Sequence, residues 1–123
     1  MASKYELISE ETVPAAKSII ARALVLKHNM NQTDVAGYLG VAQAAVSKYV
    51  TEKYSDGLKK RVDEIELKIQ DKRELIDGYV KKIAEGKAEY VNVCICTICS
   101  ISNDIICAFS HVQTNKAVVT ASA

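Results

Sequence analysis

The chain has 123 residues, with 49% hydrophobic side chains and 16 Lys plus Arg against 15 Asp plus Glu. That length allows one small domain with a core, and a net charge of +1 excludes a chain that holds nucleic acid by bulk charge alone. One Pro, five Gly and no Trp exclude collagen-like and low-complexity classes.

Charge divides the chain into three zones. Residues 1–55 hold 6 basic and 5 acidic side chains, residues 56–86 hold 8 and 8, and residues 87–123 hold only Lys87, Glu89, Asp104 and Lys116. The expected organisation is all-α: a head over 1–55, a long charged helical dimerisation segment over 56–86, and a small cysteine-bearing tail over 87–123. The N-terminus carries Lys4, Glu6, Glu10 and Glu11 without a signal-type apolar stretch. Val91 to Cys99 is the most apolar run and is much shorter than the ~20 residues of a spanning helix. These features predict a cytoplasmic protein with no membrane partner.

In the head, Thr12 is the expected cap of a first helix with Pro14 in its first turn. Ala16, Ile19, Ile20, Ala23 and Leu24 follow the helical i, i+3, i+4 rule and make one apolar face. Asn29 and Asn31 punctuate the chain around Met30, a second helix runs from Gln32 to Leu39, and Gly40 ends it. A third begins near Ala42 and continues through Tyr49. Two short helices across one Gly predict a helix-turn-helix. Ala36 is small where the helices must cross, and Gly40 suits a left-handed turn. Val35, Leu39, Val41, Val46 and Tyr49 are the inward set. Gln43, Ala44, Ser47 and Lys48 are the outward set, with the chemistry to meet base edges and phosphates.

Within Tyr5 to Tyr54 the chain resembles the phage-repressor-like helix-turn-helix regulators, especially archaeal predicted transcriptional regulators. The likeness rests on Glu6-Leu7, Val13-Pro14-Ala15, Gln32-Thr33, Ala36, Leu39-Gly40-Val41, Gln43 to Ser47, and Tyr49. It implies operator DNA bound by a dimer, with Gln43, Ala44, Ser47 and Lys48 in the major groove and Gln32 and Thr33 on phosphates. Ala42 departs from the usual Ser or Thr, removing a side-chain cap worth about 1 kcal/mol.

Further along, Leu58, Val62, Ile65, Ile69, Lys72, Ile76, Tyr79 and Ile83 recur with spacing 4-3-4-3-4-3-4. This heptad register, with Lys72 as its polar intruder, predicts an intersubunit helix. The competing reading is an amphipathic helix packed on its own head; Gly78 and Lys72 both weaken a continuous coiled coil, and Asp71 marks a point where the helix can break. Residues 41–61 hold five basic side chains (Lys48, Lys53, Lys59, Lys60, Arg61) against Glu52 and Asp56, a local patch for a DNA backbone.

The tail holds Cys94, Cys96, Cys99 and Cys107, followed by His111. Cys96 and Cys99 form a C-x2-C that could grip a metal from a tight turn, and Cys107 and His111 would share one face of a short helix capped by Asn103. With His111 as fourth ligand, Cys96, Cys99 and Cys107 make a zinc set; with Cys94, an all-thiolate set for an iron–sulfur cluster. Buried thiols in an apolar shell, or disulfides, are the alternatives. The resemblance extends here more loosely, since similar archaeal regulators carry a C-x2-C, a further Cys and a nearby His. Residues 112–123 lack periodicity and read as frayed or a swapped strand.

The function these features predict is a dimeric, sequence-specific DNA-binding regulator that senses metal, cluster status or redox through its cysteines. The alternative is a protein-interaction module of a transcription assembly whose tail is a structural zinc or disulfide staple. No general base is clearly paired with a cysteine, so no catalysis is expected.

Overall fold

A computed structural model of the chain describes residues 8–103, all of whose regular elements are helical. A π-helical turn, Ile8–Thr12, leads into α1 (Val13–Leu26), then α2 (Gln32–Leu39), α3 (Gln43–Thr51) and α4 (Asp56–Lys68). A 3-10 turn, Gln70–Lys72, leads into α5 (Arg73–Ala84), and α6 (Glu89–Asn103) follows. No helix among the described residues is long and apolar enough to cross a membrane.

α1 is the centre of the packing. Its expected apolar face is buried, but so are Ala15, Ser18 and Ala21 on its other sides. A helix buried nearly all round needs small residues where neighbours approach, and Ala and Ser supply them. α1 touches all five other helices. One continuous hydrophobic cluster therefore runs from Ala15 through Val46, Ile65 and Ile83 to Cys99. The three charge zones are not three separately packed bodies.

Thr12 does not cap α1. Its backbone is helical (φ −76°, ψ −42°), and no side-chain cap bond forms. The π-helical turn already continues the helix backwards, which leaves no exposed first turn to cap. Thr12 is instead fully buried, and its hydroxyl accepts a hydrogen bond from Arg61 Nη2 at 2.8 Å.

The heptad residues form helix, but not one continuous helix. The α-helical ladder stops at Ile69, and Gln70–Lys72 form a 3-10 turn. Lys72, the polar member of the series, lies in that break and is exposed. Val62, Ile65, Ile69, Ile76 and Ile83 are buried within the chain's own core, with Leu58 and Tyr79 packed beside them. This corrects the intersubunit seam: α1 and α6 already cover it. A repeat of 3.5 residues describes any helix with one apolar stripe, whoever supplies the cover. Arg73 fastens the break, with Nη1 2.7 Å from Glu66 on α4 and Nε 3.4 Å from Asp77 on α5.

Candidate nucleic-acid interface

The sequence of α2 sets its ends. Asn31 has an extended backbone and its Oδ1 accepts from the Asp34 N–H at 2.7 Å, as an N-cap should. Gly40 closes the helix at φ +67°, a left-handed conformation that costs a Cβ-bearing residue strain. The chain then turns through Val41 to Ala42, whose φ of −72° and ψ of 150° fit an N-cap. Ala42 has no side-chain acceptor, so α3 starts without a side-chain cap.

Val35, Ala36, Leu39, Val46 and Tyr49 are buried, and Val41 is packed against them. These contacts hold α2 and α3 against α1. Burial raises the Tyr49 phenol above its ordinary pKa of 10.0, and its ring meets that of Tyr54 with centroids 6.4 Å apart. α3 ends at Glu52 in a left-handed conformation (φ +57°), and the Lys53 N–H returns to the Lys48 carbonyl at 2.9 Å.

On the outer side of α3, Gln43, Ala44 and Lys48 are exposed and Ser47 is half-buried. The four occupy consecutive turns of one face. Lys53, just past the end of α3, is exposed. At the start of α2, Thr33 is exposed and Gln32 half-buried. The anticipated basic patch divides on inspection. Arg61 turns inward to Thr12, and Lys59 Nζ lies 3.8 Å from Glu52, which also lies 3.7 Å from Arg22. Lys48 and Lys53 are exposed and enter no ion pair among the described residues. The loss of Arg61 from the patch has a sequence cause that was missed: it is the one basic residue of the run next to the buried Val62.

The cysteine segment departs from the expected tight turn. Cys94, Cys96 and Cys99 all lie inside α6 and are buried. Val91, Cys94, Ile95, Ile98, Cys99 and Ser102 follow helical spacing, and burial between α5 and α1 overrides the weak helix propensity of a β-branched run. Asn103 is the last described residue of this helix, and the short helix expected to follow it lies outside the described residues. At about 100° per residue, Cys96 and Cys99 share a face about 60° wide, whereas Cys94 points about 140–160° away. Cys94 faces α5. Burial, reinforced by Asp77 and opposed by Arg73, pushes its thiol up to about 12. Cys94 is thus fully buried and on the other side of α6 from the Cys96 and Cys99 pair.

Among the described residues no three His, Cys, Asp or Glu side chains come together as a metal-holding group. Cys96 and Cys99, one turn apart, supply two thiols to one side of α6. Cys107 and His111 lie outside the described residues, as do residues 112–123. The donor set within α6 is thus half of a tetrahedral one.

The chain matches no family model, no curated protein and no solved structure.

Proposed function

We propose that the chain is a sequence-specific regulator that binds duplex DNA as a homodimer, with α3 in the major groove. Gln43, Ala44, Ser47 and Lys48 read base edges, while Gln32, Thr33 and Lys53 contact the backbone. The observation that carries this reading is the division of α2 and α3 into two faces. Every side chain that fixes their crossing is buried or packed against the core, and the outer row of α3 is mostly polar, largely exposed and outside that core. Gln and Lys at successive turns of an exposed helix are suited to adenine, guanine and phosphate. α6 is the candidate sensing element, because it packs directly on α1, and α1 also supports α2 and α3. Any metal would take Cys96 and Cys99 as two of its ligands.

Selection from a random-sequence duplex pool, followed by anisotropy of the recovered duplex over a salt series, tests the reading. Lys48→Glu and Lys53→Glu should each weaken binding and reduce its salt slope by about one. Gln43→Ala should relax preference at one or two base pairs and leave that slope unchanged. Failure to enrich any sequence, with binding insensitive to salt, would leave a protein-interaction module as the better account.

A further inference from the structure

The chain has three arginines, and two of them are well held: Arg61 donates to Thr12 at 2.8 Å and Arg73 to Glu66 at 2.7 Å. Arg22, on α1, differs. Its ion-pair partner among the described residues is Glu52, 3.7 Å from Nη2, too long for a hydrogen bond. Glu52 is also shared with Lys59 at 3.8 Å. Arg22 Nε is shut away from water and meets no acceptor. The side chain is only 32% exposed. A guanidinium drawn this far under the surface normally finds acceptors for its N–H groups.

Arg22 lines a cleft of about 140 Å³ between α1 and the break that separates α4 from α5. Ile19, Ala23 and Leu26 on α1 give the cleft its apolar side, and Lys27 adds a second cation. Glu66 and Arg73, paired with each other, form the other side. Leu26 is 56% exposed, so apolar surface in this region is left in water. The volume is that of roughly four or five waters, which fits a small aliphatic group. An apolar cleft with a few convergent polar groups is the usual form of a small-molecule site.

The charges select an anion. Arg73 is neutralised by Glu66 and Asp77, whereas Lys27 enters no ion pair among the described residues. The C-terminal end of α1 opposes an anion with about half a charge, less than either cation supplies. A second negative charge on the ligand would meet Glu66, so a single carboxylate suits the cleft better than a phosphate.

We propose that this cleft binds a small branched aliphatic acid. The carboxylate takes the Nη1–Nη2 fork of Arg22, with Lys27 as the supporting charge, and the aliphatic body lies against Ala23 and Leu26. The planar fork matches a carboxylate in geometry, and covering Leu26 removes apolar surface from water. Simple branched acids and free amino acids share this chemistry, and Glu66 is the group that would favour a ligand carrying an ammonium. The site stands whether or not the chain binds DNA.

Titration of the isotope-labelled full chain with isocaproate, followed by NMR, tests the proposal. Saturable shifts should centre on the methyl groups of Ile19, Ala23 and Leu26. Acetate, which lacks the aliphatic body, and isobutanol, which lacks the charge, should each bind at least about tenfold more weakly. Arg22→Gln should weaken isocaproate about tenfold. Leu26→Ser, at an exposed position that folding does not need, should also weaken it. Lys60→Gln, outside the cleft, should leave it unchanged. Free leucine in a parallel titration distinguishes the two sources: tighter binding than isocaproate assigns an amino acid, weaker binding a simple acid. No saturable shifts with either probe, acetate as effective as isocaproate, or a folded Arg22→Gln variant that binds as well as the unaltered chain would overturn the proposal.

Discussion

Arg61 Nη2 donates to the Thr12 hydroxyl across 2.8 Å and so joins α4 to the turn that enters α1. The two residues are far apart in sequence, and Thr12 is fully buried. A guanidinium drawn under the surface in this way needs its acceptors.

Thr12→Val keeps the shape of the side chain and removes the acceptor. It should cost about 1–3 kcal/mol, the contribution of a hydrogen bond to a charged group at a buried site. Thr12→Ser keeps the hydroxyl and loses one buried methyl, at about 1 kcal/mol. Urea unfolding of both variants decides the matter. A Val variant as stable as the Ser variant would show that the contact contributes nothing.

Gly40 and Gly37 offer a contrast in which steric space is equal, since a Cβ at either meets nothing within 4 Å. Gly40 has φ +67° and Gly37 is within α2. Gly40→Ala should therefore destabilise by about 1 kcal/mol through backbone strain. Gly37→Ala should stabilise by about 0.5–1 kcal/mol through helix propensity. Melting temperatures that move in the same direction would contradict the left-handed turn.

Ala42 occupies the N-cap of α3 with a suitable backbone and no acceptor. Ala42→Ser should add about 1 kcal/mol of stability by accepting an N–H of the first turn. Denaturant midpoints measure this directly, and no gain would mean that the α3 terminus is already satisfied in solution.

Cys94 predicts a pH dependence. Its thiol titrates at about 12 when folded against an ordinary 9.0, so the folded state holds its proton more tightly. The stabilisation is complete below about pH 9 and is lost as pH rises towards the folded value, at about 1.4 kcal/mol per pH unit in that window. Cys94→Ala should lower stability at neutral pH through the cavity it leaves, yet show the shallower decline above pH 9. Parallel declines for the two proteins would remove Cys94 as the cause.

Much of the region from α1 to α3 was legible because its signals are local. Asn31, Gly40 and the i, i+3, i+4 row of α1 act within one or two turns of themselves. The heptad series was also legible as helix, but the identity of its cover was not. Whether Ile65 meets another chain or α1 depends on where the chain returns in space, which periodicity does not encode. Thr12 misled for a related reason, since Pro14 suits a first turn equally well when helical backbone precedes it. For Cys96 and Cys99 a motif outweighed a pattern: C-x2-C suggested a turn, whereas i and i+3 are also neighbours on a helix.

The central place of α1 makes the presumed head inseparable from the rest of the chain. A fragment cut after residue 55 would bring α1 into water along the sides now covered by α4, α5 and α6, exposing Ala, Ser and Ile surface that has no other cover. The unit cannot be transplanted as a cassette onto another protein at that boundary. For the same reason the cysteine helix and the helices that carry Gln43 and Lys48 have one support in common: each rests on α1.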